Sequence, residues 1–389
     1  MNFNAGAAMF INRKVLKSIK KTKKSILLIG PRQTGKSTLI KTLNPDLSVN
    51  LSNEGIYLNF ASNARELEQL IRAQKPKTVF IDEIQRLPSL LNTIQSILDD
   101  WSDPPQFYIT GSSARKLRRG QANLLPGRIF SYNLGPLSAS ELEYSLRQDV
   151  ITHGSLPGIY TERELEVREK LLKSYAGIYL KEEIQAEALT KNLEGFARFI
   201  FVAAAEATKY LDLAKLAMQA KIERHSAVRW FELLEDTLMV TRASPFTKSN
   251  RKRLVQHPRF FFFDNGILNA LLKNFVDSAD RSGFLFENLF FSQLQTSAFA
   301  ADKEIEVSSF RTDHGAELDF IVEVSGTVWA IECKASTDIA AVNTKPFKSF
   351  EAVYRKPHQR VIAYRGAEEK EIMGIKIIPW QKLLKHMGL

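Results

Sequence analysis

A glycine-containing segment near the amino terminus restricts the possible folds of this chain more than any other feature. It follows the apolar stretch Ser25–Ile29, which predicts a strand, and it precedes Leu39–Leu43, which predicts the continuation of a helix. The segment fits the pattern G-x-x-x-x-G-K-[ST] and consists of Gly30, Pro31, Arg32, Gln33, Thr34, Gly35, Lys36, Ser37 and Thr38. A strand, a tight loop and a helix in this order predict a loop whose backbone N–H groups surround a phosphate group.

The residue types in this loop suit a nucleoside triphosphate and its Mg²⁺ ion. Gly30 and Gly35 permit a tight turn, and the helix that follows points its positive end at the same anion. We expect Lys36 to bridge the β- and γ-phosphates and the Ser37 hydroxyl to ligate Mg²⁺. Residues 30–38 are therefore assigned to nucleotide binding, with ATP and Mg²⁺ as cofactors.

A second apolar strand ends in two acids. Residues 79–81 are Val-Phe-Ile, and Asp82 and Glu83 follow them. We expect Asp82 to hold the Mg²⁺ ion, directly or through water, and Glu83 to act as the general base that polarises the attacking water. Acids at the end of a strand are often only solvated, so this interpretation depends on the phosphate-binding loop upstream. Together the two motifs predict ATP hydrolysis.

A third strand, Gln106–Thr110, leads into small polar residues. In P-loop ATPases with an additional strand, this strand lies between the other two and its end faces the γ-phosphate. Thr110 or Ser112 is then placed to orient the attacking water. The alternative is that these residues only cap the helix that follows the strand.

Taken together, these motifs resemble the AAA+ superfamily. The resemblance rests on GPRQTGKST, VFIDEIQRLP, YITGSSARKL and LPGRIF; HGSLPGIY, SYAGIYLKEEI and RFFFFDNGILNALL narrow it to bacterial and archaeal predicted AAA+ ATPases with an uncharacterised C-terminal domain. It implies that Arg128 is an arginine finger for a neighbouring subunit, with Arg115, Arg118 and Arg119 as competitors. The alternative is a solvated or nucleic-acid-facing arginine. A finger acting in trans requires a dimer or a ring, so we expect a homo-oligomer and favour a hexamer.

Two further predicted strands carry acids and a lysine near the carboxyl terminus. Leu318–Val324 and Thr327–Glu332 predict a hairpin, and alternate residues of a strand point the same way, so Glu332 and Lys334 share a face. The hairpin gathers Asp319 with them. Two carboxylates and a lysine suit Mg²⁺-assisted phosphodiester cleavage, because the acids hold the metal and the lysine orients the water or stabilises the developing charge.

The D…E-x-K spacing of these residues resembles the restriction-endonuclease-like PD-(D/E)XK fold. Glu287, in a predicted helix over Phe284–Gln293, resembles the additional acid that such nucleases supply from a preceding helix. Leu318 stands where that family has a proline. Two alternatives stay open: an exposed salt-bridged hairpin, and a nuclease relative that binds DNA without cutting it.

The pattern of secondary structure predicts three regions. Strands and helices alternate up to about Gly135, which predicts a parallel sheet covered on both faces. Residues 162–238 are almost entirely helical in pattern, and Leu211–Val240 suits a helix-turn-helix or winged-helix unit. A strand at Arg259–Phe263, whose phenylalanines we assign to the core, and a helix at Asn265–Leu272 begin a second α/β region. We therefore expect an α/β protein with an AAA+ domain at 1–137, a helical winged-helix-like domain at 138–255 and a PD-(D/E)XK nuclease-like domain at 256–389.

The charge of the chain indicates a polyanionic partner. Its 54 Lys and Arg residues exceed its 43 Asp and Glu residues, and the resulting net charge of +11 favours nucleic acid. Short basic runs occur at Lys21–Lys24, Arg115–Arg119 and Lys248–Arg253. Each run alone is more often a solvated face, but their recurrence in all three regions indicates phosphate contacts. We therefore expect DNA as the partner.

Other features exclude several classes of protein. The single cysteine, Cys333, excludes an internal disulfide framework and fits a reducing cytosol. We find no apolar run long enough to span a bilayer, so no membrane partner is expected. Residues 1–24 predict a basic amphipathic helix rather than a signal peptide. The expected location is the cytoplasm.

Two hypotheses about function follow. In the first, the chain is an ATP-hydrolysing AAA+ protein that acts on DNA by remodelling, branch migration or unwinding, with or without metal-dependent cleavage by the C-terminal domain. In the second, it is a nucleotide-dependent regulatory switch that binds a protein partner, with an inactive nuclease-like domain used for DNA or protein binding. An AAA+ protein-remodelling motor is disfavoured, because we find no aromatic pore-loop motif.

Overall fold

The computed structural model describes residues 11–112, 127–186, 192–247 and 257–389, with only the backbone of residues 179–186. The chain divides into two compact units. One, called here the P-loop unit, comprises Asn12–Gly135 and Leu233–Met239; the other, called the C-terminal unit, consists mainly of Pro136–Glu232 and Val240–Leu389. Each unit has its own cluster of buried apolar side chains.

The P-loop unit is built on a parallel sheet whose described strands lie in the order β2-β3-β4-β1-β5. The strands are β1 (Ser25–Ile29), β2 (Leu47–Asn50), β3 (Thr78–Asp82), β4 (Gln106–Gly111) and β5 (Ile129–Asn133). All the pairings between them are parallel. This order confirms the predicted α/β fold and the predicted place of β4 between β1 and β3.

Apolar side chains on both faces of this sheet are covered by helices. Leu27, Ile81 and Ile109 belong to the cluster on one face, and Leu28 and Phe80 to the cluster on the other. Full burial of a side chain of this size stabilises the fold by roughly 1.5–3 kcal/mol. The helices of the unit are α1 (Leu16–Lys21), α2 (Lys36–Lys41), α3 (Glu54–Ser62), α4 (Glu66–Gln74) and α5 (Leu90–Asp100).

The C-terminal unit contains a mixed sheet whose described strands lie in the order β12-β13-β11-β10-β9-β8-β6-β7. The antiparallel hairpin of β9 and β10 lies near its middle, so the strands predicted at 318–324 and 327–332 are confirmed. The strands are β6 (Val240–Pro245), β7 (Arg259–Phe262), β8 (Ile305–Arg311), β9 (Glu317–Val324), β10 (Thr327–Lys334), β11 (Gln359–Tyr364), β12 (Lys370–Ile372) and β13 (Ile375–Pro379).

The remaining described helices precede this sheet or pack beside it. Those within residues 162–238 agree with the helical pattern predicted for that stretch. They are α6 (Val150–His153), α7 (Pro157–Tyr160), α8 (Leu165–Ala186), α9 (Leu193–Ala205), α10 (Leu213–Ala220), α11 (Arg224–Asp236), α12 (Asn265–Leu272), α13 (Ala279–Ala301), α14 (Lys345–Val353) and α15 (Trp380–His386). Among the helices of the described ranges, none combines the length and the apolar character needed to cross a lipid bilayer.

The segment from α10 to β7 has the element order of a helix-turn-helix followed by a hairpin. Residues 221–223 separate α10 from α11, and β6 pairs antiparallel with β7. β6 also pairs in parallel with β8, so the hairpin forms one edge of the mixed sheet. The winged-helix assignment and the domain boundaries at 137/138 and 255/256 stay predictions.

Candidate nucleotide site and C-terminal acidic centre

The phosphate-binding loop lies between β1 and α2, at the carboxyl edge of the parallel sheet, where open α/β sheets bind their ligands. Its backbone depends on glycine at two positions. A Cβ atom on Gly30 would lie 2.0 Å from the carbonyl oxygen of Leu134. Gly35 has a φ of 90°, in the left-handed region that other residues seldom adopt. The loop therefore keeps its shape only with these glycines.

The ammonium group of Lys36 lies inside this loop. Lys36 is buried, and its Nζ donates to the carbonyl oxygens of Gly30 and Pro31, both at 2.8 Å. Burial lowers the pKa of Lys36 to about 8, although the nearby carboxylates of Glu83 and Asp82 act to raise the pKa. A buried cation surrounded by loop carbonyls is suited to meet a phosphate anion.

Ser37 and Asp82 meet at the end of the loop. Ser37 Oγ donates to Asp82 Oδ1 at 2.8 Å, and the hydroxyl of Thr110 donates to the same carboxylate oxygen. Because β3 and β4 are neighbours, Thr110 reaches Asp82 from the adjacent strand. A serine hydroxyl and one carboxylate, beside a phosphate site, form the oxygen donor set that Mg²⁺ prefers. The residues present therefore fit a Mg²⁺ ion at this place.

Glu83 follows β3 and is held by a small hydrogen-bond network. Its φ is 60°, and its carboxylate accepts hydrogen bonds from the amide of Gln85 and, at 3.3 Å, from the hydroxyl of Ser112. The Gln85 amide also donates to Ser112 Oγ at 2.9 Å and accepts from the Ser112 N–H at 3.2 Å. The sequence reasoning missed Gln85, whose only signal was a polar side chain two residues after Glu83.

Arg13 is a second residue that the sequence reasoning missed. Its guanidinium donates to the carbonyl oxygen of Thr34 at 2.6 Å and to that of Gly135 at 2.8 Å. The sequence predicts a helix over residues 1–24, but in the described part of this stretch the helix spans only Leu16–Lys21. That prediction was wrong here, because Arg13 precedes the helix and is buried against the loop instead of lying on a solvated face.

The candidate arginine finger lies at the other edge of the sheet. Ile129 pairs with Ser25 at the start of β1, so Arg128 is separated from the phosphate-binding loop by the length of a strand, about 16 Å. Its side chain is 49% exposed and forms an ion pair with Asp99. Arg128 therefore cannot reach the loop of its own chain. Arg115, Arg118 and Arg119 lie outside the described residues.

The C-terminal acids and the lysine lie close together, as the sequence predicts. Lys334 Nζ donates to Glu332 Oε1 at 2.6 Å, and the backbone N–H of Cys333 donates to Asp319 Oδ2 at 2.7 Å. Glu287 approaches from α13. Burial raises the pKa of Glu287 to about 8 and that of Glu332 to about 7. The charge of Asp319 is the second-largest cause of both increases.

A buried arginine, Arg259 of β7, joins these acids and was also missed. Its guanidinium forms ion pairs with Glu287 and, at 3.3 Å, with Asp319 Oδ1. Sequence reasoning assigned this segment to the core because of its phenylalanines. In the described part of the chain, no group of three or more His, Cys, Asp or Glu side chains is arranged to hold a metal ion. The side chains here do not fit Mg²⁺, because a fixed cation already occupies the space between two of the acids.

Three family models match successive parts of the chain. Residues 22–143 match a model described as an AAA domain. Residues 145–278 and 282–383 match two domains of unknown function, DUF8612 and DUF4143. The first match covers the P-loop and both acids at the end of β3, Asp82 and Glu83. It supports a nucleotide-dependent activity for the P-loop unit.

Proteins similar to this chain occur in bacteria. An uncharacterized protein of Mycobacterium bovis is 26% identical over 324 residues, which cover 80% of this chain and 70% of that protein. An uncharacterized protein of Haemophilus influenzae is 23% identical over 384 residues, which cover 90% of this chain and 92% of that protein. Both matches cover most of this chain, and the names of the two proteins state no activity.

Likenesses to solved structures are weak. A signal transduction ATPase with numerous domains from Pyrococcus horikoshii is 12% identical with a TM-score of 0.29, and the match covers 76% of this chain but only 47% of that one. A replication initiator DnaA, bound to AMPPCP and single-stranded DNA, is 13% identical with a TM-score of 0.26 and covers 57% of this chain and 85% of that one. At such scores, nothing about this chain follows from either likeness.

Proposed function

We propose that this chain is an ATP-hydrolysing AAA+ protein that acts on DNA by remodelling, branch migration or unwinding. One contact carries the ATPase part of the proposal, the 2.8 Å hydrogen bond between Ser37 Oγ and Asp82 Oδ1. It brings the two oxygen ligands expected for Mg²⁺ to one point, beside the ammonium of Lys36. The match of residues 22–143 to an AAA domain also supports the ATPase part of the proposal.

Residues of the loop and at the ends of the neighbouring strands have different roles in hydrolysis. The backbone N–H groups of residues 32–36 would surround the triphosphate, and Lys36 would exchange its loop carbonyls for phosphate oxygens. When bound, Mg²⁺ held by Ser37 and Asp82 neutralises charge on the β- and γ-phosphates. Glu83 accepts the proton of the attacking water. Thr110 holds Asp82 in place, while Ser112 lies beside Glu83 and is the better placed of the two to orient that water.

Positive charge supports the DNA part of the proposal. The net charge is +11, and Arg224 and His225 are exposed at the start of α11, the second helix of the helix-turn-helix order. In DNA-binding helix-turn-helix proteins the second helix lies in the major groove. The basic run Lys248–Arg253 lies between β6 and β7 in sequence but falls outside the described residues. Phosphate contacts from such groups give an affinity that falls as salt rises.

The proposal includes a homo-oligomer, with a hexamer favoured. Arg128 lies at the amino edge of the sheet and is half exposed, so it serves as a finger only for the nucleotide of another subunit. We further propose the cytoplasm as the location, and the three domains 1–137, 138–255 and 256–389 as the units of function.

An ATPase assay with a panel of linear, forked and four-way DNA tests this function. ATP hydrolysis, unwinding and cleavage are measured in parallel, with Lys36→Ala and Glu83→Gln as variants of the site and Lys17→Ala as a surface control. We expect DNA to stimulate ATP turnover, Lys36→Ala to abolish it, and Glu83→Gln to lower it by about 10²–10⁴-fold. ATP turnover that no DNA changes would overturn the DNA part, and full turnover in Lys36→Ala would overturn the ATPase part.

One observation favours a second function, a nucleotide-dependent switch for a protein partner. Arg259 is paired with Glu287 and Asp319, two of the residues that cleavage would need. In such a switch the C-terminal domain binds DNA or protein but cuts nothing. Asp319→Ala and Lys334→Ala would then leave biological activity intact, whereas Lys36→Ala would abolish it.

A further inference from the structure

We call Glu287, Asp319, Glu332 and Lys334 the C-terminal acidic centre. Acceptors from this centre and from Thr208 surround the guanidinium of Arg259. Arg259 Nε donates to the carbonyl oxygen of Thr208, and Nη1 donates to the backbone and side-chain oxygens of Asp319, both at 3.3 Å. Nη2 donates to Glu287. All three nitrogens are thus engaged.

The backbone around Arg259 fixes this side chain in place. Thr208 N–H donates to the carbonyl of Phe260 and Leu211 N–H to that of Pro258, both at 2.8 Å, so the chain is paired on both sides of Arg259. The rings of Phe261 and Phe320 lie 5.3 and 5.8 Å from its guanidinium carbon. These distances suit cation–π attraction. The side chain therefore cannot swing away to admit another cation.

The bonding of Asp319 leaves it poorly suited to ligate a metal. Its Oδ2 accepts from the backbone N–H of Cys333 at 2.7 Å, and its Oδ1 accepts from Arg259. Glu332 is bonded to Lys334 instead. A divalent ion would have to displace these donors and would lie beside a buried positive charge in surroundings of low dielectric constant.

We infer that Arg259 is the resident cation of the C-terminal acidic centre and replaces the divalent metal that cleavage would require. The centre then holds the β9–β10 hairpin, α13 and β7 together without metal. It leaves the C-terminal domain to bind and not to cut. The inference rests on the proposed function only in taking DNA as the ligand that stays uncut.

Binding of Mn²⁺ alone tests this inference. Free Mn²⁺ is measured by electron paramagnetic resonance during titration of the full-length protein without nucleotide. We compare the unchanged protein with Asp319→Asn, and with Asp82→Asn to account for any binding at the ATP site. We expect Asp319→Asn to leave the amount of bound Mn²⁺ unchanged. A bound equivalent of Mn²⁺ that disappears in Asp319→Asn but persists in Asp82→Asn would overturn the inference.

Removal of the arginine provides the converse experiment. Arg259→Met leaves Glu287 and Asp319 without their cation, and we expect the variant to be less stable and to gain Mn²⁺ binding that Arg259→Met/Asp319→Asn lacks. Arg360→Met is the matched control, because Arg360 also forms an ion pair in the same unit, with Glu351 at 3.0 Å. A folded Arg259→Met protein with no gain would contradict the inference. Should that variant not fold, Asp319→Asn alone decides.

These outcomes are independent of the ATPase assay. DNA-independent ATP turnover would count against the proposed function while leaving the Mn²⁺ result unaffected. Mn²⁺ bound through Asp319 would overturn the inference even if DNA stimulated ATP turnover.

Discussion

Arg13 donates to the carbonyl oxygen of Thr34 at 2.6 Å, so a residue from before the first strand supports the phosphate-binding loop. The second arm of its guanidinium bonds the carbonyl of Gly135, at the end of the segment that follows β5. Two segments, from near the beginning and the end of residues 12–135, thereby bond to the same guanidinium beside this loop. We assign Arg13 as a positioning residue, because its guanidinium donates to the backbone oxygens of Thr34 and Gly135.

We expect Arg13→Met to weaken nucleotide binding more than it slows turnover. Loss of a charged hydrogen bond to a buried carbonyl costs roughly 1.5–3 kcal/mol. A change of about 1.4 kcal/mol in binding free energy is a tenfold change in affinity. The KM for ATP should therefore rise about tenfold or more, while kcat changes little. Steady-state kinetics measure this split, and Lys17→Met, an exposed residue of α1, is the control. A fall in kcat at unchanged KM would show that Arg13 does not act through the loop.

Gln85 is expected to affect turnover and not binding. Its amide holds the carboxylate of Glu83 and the hydroxyl of Ser112, so Gln85→Ala frees the general base to adopt other orientations. A positioned general base contributes about 10²–10⁴-fold, and we expect part of this, on the order of tenfold, to be lost from kcat.

Two comparisons separate this role of Gln85 from a general effect on folding. Gln69→Ala changes an exposed glutamine of α4 and should leave kcat unchanged. In a Glu83→Gln background, Gln85→Ala should cost nothing further, because residues that act as a unit are not additive. Equal losses in both backgrounds would refute the proposed link to Glu83.

Asp264 makes the stability of the C-terminal unit depend on pH. The residue is buried, and its carboxylate accepts from the N–H groups of Ser155 and Gly266, both at 2.8 Å. Burial raises its pKa from 3.8 to about 6, against the effect of these hydrogen bonds. Since the folded pKa exceeds the unfolded pKa, the contribution is fully present below about pH 3.8 and is lost as pH rises through about 6.

The rise in the pKa of Asp264 from 3.8 to about 6 sets the size of this effect. At 1.36 kcal/mol for each pKa unit, the free energy of unfolding changes by roughly 3 kcal/mol. Denaturant unfolding between pH 4 and pH 7 measures it. Asp264→Asn should remove this pH dependence and lower stability throughout, because an amide nitrogen cannot accept from Ser155. Asp302→Asn, at an exposed position, is the control. An unchanged slope in Asp264→Asn would assign the pH dependence to other groups.

The arrangement of residues in the candidate nucleotide site could be predicted because the chemistry of these residues is local in sequence. Lys36, Ser37 and Asp82 each belong to a short motif, and the resemblance to P-loop ATPases with an additional strand implies the strand order that joins the motifs. Arg13 and Gln85 were missed for another reason. Their partners are defined only by the folded backbone, which carries Arg13 to a carbonyl 21 residues away.

The C-terminal centre was predicted in part. Strand alternation placed Glu332 and Lys334 on one face, and the hairpin brought Asp319 to them. Arg259 was not predicted as part of this centre, because the four phenylalanines that follow it indicate a core segment. Its partners Glu287 and Asp319 are 28 and 60 residues away, and no periodicity in the sequence links β7 to them.

Nucleotide binding should be accompanied by proton uptake at alkaline pH. The pKa of Lys36 is lowered to about 8 by burial, so near and above that pH part of the free protein carries a neutral Lys36. Triphosphate stabilises the charged form and raises this pKa, and protons are therefore taken up on binding. Calorimetric titration with ADP or ATP at pH 8.5, in two buffers that differ in ionisation enthalpy, measures the uptake. At pH 6.5 Lys36 is already charged, so its contribution should vanish there. Equal proton uptake at both pH values, or release at pH 8.5, would show that Lys36 is not the group that meets the phosphates.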